Sequence, residues 1–94
     1  MTRIFKLAEA ANKAVMPHSP QAVINSMASM HVYATSQNAT RPHEFSIEFS
    51  GPLDEVAELY GEDVLPREGT ITLTDKPGLG IDLNEAAVER LSKR

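Results

Sequence analysis

His18 combines a chemistry-bearing side chain with a position where ligands collect in α/β proteins. It follows the short apolar run Ala14–Met16, which we predict to be a buried parallel strand, and it precedes a predicted helix. Catalytic groups gather where parallel strands end. Because an imidazole titrates near neutral pH, His18 is a candidate general base. The alternative is a loop histidine that only hydrogen-bonds to a neighbouring backbone group.

Glu44 is the second candidate. From Glu44 to Phe49 polar and apolar residues alternate, and this period of two predicts a strand. A carboxyl group on the polar side of that strand can stabilise charge that develops on a substrate near His18. The alternative is a solvated glutamate at a strand end beside His43.

The other two histidines give weaker signals. His31 falls on the apolar stripe of a predicted helix, which favours a structural role, and His43 is interpreted as a surface neighbour of Glu44. The three histidines show no metal-ligand spacing, and the acidic residues of 54–58 lie on a helix predicted to be exposed. We therefore predict no metal site within this chain.

The elements that must position these residues alternate between helix and strand in the first half of the chain. Residues 3–13 form an amphipathic pattern whose apolar positions are Ile4, Leu7, Ala8 and Ala11. No N-cap residue precedes this pattern, which indicates an element entered midway. Ser19 and Pro20 are typical of a helix start, so residues 20–35 are predicted to be helical.

The second half is more irregular. A short helix is predicted from Leu53 to Tyr60, with Gly61 as its C-terminal stop. Residues 70–74 form a brief β-rich run, and residues 76–80 form a turn that lacks a phosphate-loop pattern. Asp82 or Asn84 is expected to cap a final helix.

Composition narrows the function classes. The chain has 94 residues, a net charge of −4, 41% hydrophobic residues and no cysteine. Its acidic balance and scattered basic residues argue against nucleic-acid binding, and no apolar run is long enough for a membrane span. The absence of cysteine favours a reducing compartment, so we expect a cytoplasmic protein.

The fold class predicted from these elements is α/β, because short parallel strands require helical crossovers. Two strands alone make an incomplete sheet, and a complete (β/α)8 barrel takes about 250 residues. The sequence therefore predicts part of a larger architecture.

The order of several short motifs resembles a known family. The motifs are Val15–Pro20, Ala28–Val32, His43–Phe45, Glu68–Ile71 and Lys76–Leu83. Over essentially all 94 residues, this series is similar to the C-terminal end of an enolase-superfamily enzyme of the mandelate racemase / muconate lactonizing subgroup. Within that subgroup it looks most like the sugar-acid dehydratases of the galactonate type.

The resemblance implies a single partial barrel domain over residues 1–94. Residues 1–50 would hold the last two strand–helix units of a (β/α)8 barrel, with 14–18 as the seventh strand and 44–49 as the eighth. Residues 51–94 would be a C-terminal segment that packs on a capping domain.

The same resemblance assigns roles to the two candidates. His18 would abstract the proton α to the substrate carboxylate, and Glu44 would stabilise the enediolate-like intermediate. The complete family enzyme uses magnesium, but its carboxylate ligands lie upstream of the matched region. We therefore expect no metal to be bound by this chain alone.

Three hypotheses follow for the function. The first is the C-terminal piece of a magnesium-dependent sugar-acid dehydratase or racemase, inactive alone and acting on an acid sugar only when a complementing upstream chain completes it. The second is a non-catalytic truncated product that self-assembles into a homo-oligomer. The third is a free-standing α/β module that binds a small acid or a protein. Both racemisation and dehydration fit the resemblance.

Overall fold

The computed structural model describes residues 1–18, 23–47 and 51–93. These residues form four α-helices and one short 3₁₀ helix. In chain order they are α1 (Thr2–Ala10), α2 (Ile24–Tyr33), α3 (Leu53–Tyr60), the 3₁₀ helix Glu62–Val64 and α4 (Glu85–Ser92). Within the same ranges, no helix is long and apolar enough to cross a lipid bilayer.

The predicted strands do not form in the described part of the chain. Residues 14–18 and 44–47 are irregular, and the run 70–74 contributes only an isolated bridge between Thr70 and Arg67. A parallel strand is stable only when neighbouring strands satisfy its backbone groups, and the described residues offer no such neighbours. The partial barrel expected from the sequence is therefore not seen.

The helices of the second half confirm the sequence predictions. Helix α3 has the predicted bounds, and Gly61 ends it with a φ of 92°, a value that favours glycine. Helix α4 begins after Asn84, whose side-chain oxygen accepts a hydrogen bond from the Ala87 amide at 3.1 Å. Of the two predicted caps, Asn84 is therefore the one used.

The helices of the first half are shorter than predicted. Helix α1 covers residues 2–10 of the predicted 3–13, and α2 covers 24–33 of the predicted 20–35. The predicted start at Ser19 and Pro20 lies outside the described residues. Helix α1 buries Phe5, whereas Ile4 and Leu7 of its predicted apolar face are 63% and 72% exposed. The face expected to be buried therefore points to solvent.

The main core lies between α2, α3 and the segment that follows them. Its buried residues are Val23, Met27, Val56 and Val64. Partly buried residues pack around this cluster: Met30, Tyr60, Leu65, Ile71, Leu73, Leu79 and Ile81. Helix α3 also packs against α4, and the Asn84 amide donates a hydrogen bond to the Leu59 carbonyl at 2.8 Å. The core thus holds the C-terminal half against α2.

Candidate functional site

The structure brings the two candidate residues together. His18 Nδ1 lies 2.9 Å from Glu44 Oε2, although the residues belong to different irregular segments. The two side chains remain open to solvent, with exposed fractions of 78% for His18 and 37% for Glu44. An ion pair this exposed adds little to stability. The residues around it must therefore set its geometry.

This contact gives the histidine a defined chemistry. A carboxylate bound at Nδ1 orients the imidazole, and it leaves Nε2 as the ring nitrogen that can take a proton from a ligand. In this structure, Glu44 is the carboxylate that makes this contact with His18.

Tyr33 connects the two segments that carry His18 and Glu44. The tyrosine is the last residue of α2, and its hydroxyl lies 2.9 Å from the Val15 carbonyl and 2.7 Å from the Arg41 carbonyl. The hydroxyl proton is shared between these acceptors, and the Arg41 amide donates to the hydroxyl oxygen at 3.3 Å. One buried side chain therefore contacts the backbone three residues before each candidate.

His43 is half-buried and bonded at both ring nitrogens, so its interpretation as a surface neighbour is wrong. Nδ1 lies 2.7 Å from the Glu44 carbonyl oxygen and Nε2 lies 2.8 Å from Ser29 Oγ. Because a carbonyl only accepts, Nδ1 carries a proton, and in the neutral ring Nε2 accepts from the Ser29 hydroxyl. The ring also meets Tyr33 edge to face, with 5.6 Å between centroids.

Sequence reasoning did not identify Ser29, Tyr33 and His43 as the residues that support the contact between His18 and Glu44. Ser29 and Tyr33 lie in a helix whose pattern predicts only packing, and their partners are distant in the sequence. The adjacency of His43 to Glu44 was the one available signal. His31, in contrast, has the predicted structural role, since its Nε2 lies 3.2 Å from the Leu79 carbonyl and links α2 to the turn at residues 77–80.

The described residues do not fit the magnesium ion that the resemblance implies. No three histidine, aspartate or glutamate side chains among them converge as a metal-binding group. Magnesium requires near-octahedral oxygen coordination, and the contact between His18 and Glu44 provides one imidazole and one carboxylate. Any metal-dependent step therefore needs ligands from other residues.

A cavity of about 310 Å³ lies beside Tyr33 and His43. Its lining includes Met30, Tyr33, His43, Phe45, Ile71 and Leu73. The lining is largely apolar, and the ring nitrogens of His43 already have partners. The cavity thus lacks the charged donors that a sugar acid requires.

Comparison with known families assigns the chain to one of them. Residues 1–87 match the family described as enolase C-terminal domain-like. The match covers most of the chain, and the protein therefore belongs to this family, whose members have an α/β fold. Searches of curated proteins and of solved structures found no match.

Proposed function

We propose that this chain supplies the histidine and glutamate of an acid-sugar dehydratase or racemase site of the galactonate type. In this proposal, residues outside these 94 provide the remaining strands of the barrel and the magnesium ligands. The observation that carries it is the 2.9 Å contact between His18 and Glu44 in a member of the enolase C-terminal domain-like family.

The proposed reaction begins with removal of the proton α to a carboxylate. His18 takes this proton at Nε2, while Glu44 orients the ring from Nδ1. The family role of Glu44, stabilisation of the enediolate-like intermediate, would require the carboxyl group to reach the substrate as well. Its partial exposure is compatible with such a contact.

The isolated chain is proposed to be inactive. An α-proton next to a carboxylate is weakly acidic, so its removal requires strong stabilisation of the charge that develops. The described residues contain no metal-binding group that would supply this stabilisation. Their apolar cavity gives no alternative site for an acid sugar.

Exposed apolar side chains support the proposal that residues outside these 94 complete the barrel. Ile4 and Leu7 lie on α1, while Met16 and Ile47 lie in the two segments predicted as barrel strands, and all four are more than half exposed. In a completed barrel these positions would be covered by neighbouring strands and helices. We propose the cytoplasm as the location, in keeping with a chain that has no cysteine.

The same exposed residues support a second candidate function, a non-catalytic chain that self-assembles. Burial of Ile4 and Leu7 against another copy would remove apolar surface from water without any catalytic site. The two candidates differ in the identity of the chain that covers these residues.

The experiment that tests the proposed function is an assay of the chain in complex with the protein that completes it. A panel of acid sugars is incubated with magnesium, and dehydration and α-proton exchange with D₂O are followed by NMR. We expect turnover by the complex, none by the isolated chain, and loss of turnover in His18→Gln and Glu44→Gln.

The matched control is Glu68→Gln, which changes a glutamate on an exposed turn. It should retain turnover. Equal activity of His18→Gln and the unsubstituted complex would contradict the proposal, as would an inactive complex that contains a full set of magnesium ligands.

A further inference from the structure

We infer that Tyr33 is a positioning residue for the contact between His18 and Glu44. Its hydroxyl joins the segment that ends at His18 to the segment that leads to Glu44. The inference rests on the proposed function for its catalytic meaning, but the contact itself is measurable without any activity.

The need for a positioning residue follows from exposure. His18 is 78% exposed, so few contacts of its own side chain restrict it. Salt screens exposed charges, and a surface pair gains too little energy to hold two irregular segments together. No strand ladder is present in the described residues of either segment. The order must therefore come from backbone contacts nearby.

Tyr33 has the properties that such a role requires. Its side chain belongs to a residue that is 7% exposed, and its ring packs edge to face on Phe5 at 5.9 Å between centroids. A buried aromatic ring with two neighbours is held in one orientation. The position of the hydroxyl is therefore fixed, and the carbonyls of Val15 and Arg41 are its hydrogen-bond acceptors.

His43 connects Tyr33 to Glu44 itself. Its ring packs on Tyr33, and its Nδ1 proton is donated to the Glu44 carbonyl. Ser29, one turn earlier on α2, holds the other ring nitrogen. The backbone of Glu44 is thus connected to α2 through two side chains, and the segment that ends at His18 is connected to α2 at Val15 through the hydroxyl of Tyr33.

The test compares Tyr33→Phe with Tyr60→Phe, which removes a hydroxyl from a partly buried tyrosine of the main core. In each background, the ring nitrogen shifts of His18 are measured by ¹⁵N NMR before and after Glu44→Gln. In the unsubstituted chain we expect a clear response at Nδ1. The response should be lost in Tyr33→Phe and retained in Tyr60→Phe.

A purely structural role for Tyr33 would lower the melting temperature without removing this response. A full response in Tyr33→Phe would therefore overturn the inference, whatever the activity of the completed enzyme. If the unsubstituted chain itself shows no response, the contact does not form in solution and the inference fails together with the geometry behind the proposed function. A normal response with an inactive complex would remove the proposed function and leave the positioning role in place.

A second measurement covers the case in which Tyr33→Phe does not fold. The Arg41 amide donates to the Tyr33 hydroxyl, so its hydrogen exchange in the unsubstituted chain should be slower than that of the same amide in an unstructured peptide of the same sequence. Exchange of the Arg41 amide at the rate of an unstructured peptide would overturn the inference.

Discussion

At the scale of single residues, the sequence indicated which side chains carry chemistry but not what holds them. His18 and Glu44 were selected from their places beside predicted strands, and the structure brings their side chains into contact. The strands that suggested these places are absent from the described residues. Tyr33 and His43 were not identified as supporting residues. The hydroxyl of Tyr33, for example, bonds to two carbonyls that are distant in the sequence, and such contacts leave no periodic signal.

Glu9 gives a prediction about acid stability. Its carboxylate accepts hydrogen bonds from the Gln37 amide and from the Ser36 hydroxyl, both at 3.1 Å. The Gln37 amide is the main cause of a pKa of Glu9 below its ordinary value, with smaller help from Ser36 and Lys6 against the opposing effect of burial. A lowered folded-state pKa stabilises the fold above the ordinary glutamate pKa of about 4.3, and this contribution is lost as the pH falls through the folded value.

We therefore expect Glu9→Gln to lower the free energy of unfolding at pH 7 and to have little effect once the pH is below the folded pKa of Glu9. Urea unfolding measured between pH 7 and pH 2.5 checks this. Glu68→Gln, whose glutamate lies on an exposed turn, is the control and should leave the profile unchanged. A Glu9→Gln effect of equal size at both ends of the range would contradict the assignment.

Lys76 gives the opposite pH dependence. Its ammonium group lies 3.2 Å from Asp82 and 3.3 Å from Asp63. The hydrogen bond to Asp82, followed by that to Asp63, raises the pKa of Lys76 above its ordinary value. The contribution to stability is then complete below the ordinary lysine pKa of about 10.4 and is lost as the pH rises through the folded value.

Lys76→Met should therefore reduce stability at pH 8 and flatten the loss of stability in the alkaline range. Melting temperatures from pH 8 to pH 11.5 provide the measurement. Lys93→Met is the matched control, because Lys93, which directly follows α4, contacts Glu89 of that helix and does not connect separate segments. The interpretation fails if both variants lose the same stability across the range.

At the scale of elements, helix ends that depend on nearby residues were predicted correctly, whereas strands that depend on distant segments were not. The bounds of α3 and the cap of α4 depend on residues within a few positions of each helix end, such as Gly61 and Asn84. A strand depends on the segments beside it, and the predicted strands at 14–18 and 44–49 have none in the described chain. The exposed face of α1 has the same cause, because a pattern shows which residues are apolar and not what covers them.

Asn84 gives a prediction at this scale. It is the one α-helix N-cap among the described helices whose side chain bonds to the helix backbone. Asn84→Ala should destabilise the chain by about 0.5 to 2 kcal/mol, since it removes the acceptor for the Ala87 amide. Asn84→Ser keeps a capping oxygen and should recover most of the loss. Chemical unfolding of the two variants measures the difference, and equal stability would show that the cap has no energetic role.

At the scale of the whole molecule, the described chain is less compact than a self-sufficient domain. Its radius of gyration is 14.8 Å, whereas a compact chain of this length has a radius of about 12 Å. Two large apolar side chains of α1 lie on its surface, and a chain of this size has little buried surface to spare. The same reasoning favours both proposed functions, since each covers this face of α1 with another chain.

The face of α1 formed by Ile4 and Leu7 should therefore be the association surface. Burying one such side chain contributes about 1.5 to 3 kcal/mol, so Leu7→Glu should weaken association about ten- to hundredfold. Val88→Glu, on the exposed side of α4, is the control for self-assembly through α1 and should leave a homo-oligomer unchanged. Native mass spectrometry over a dilution series gives both the affinity and the identity of the bound chain.

A homo-oligomer sensitive to Leu7→Glu favours self-assembly, and a complex with a second chain of about 25 to 35 kDa favours the completed barrel. A monomer with no bound chain at high micromolar concentration, in which Leu7→Glu changes nothing, would contradict both.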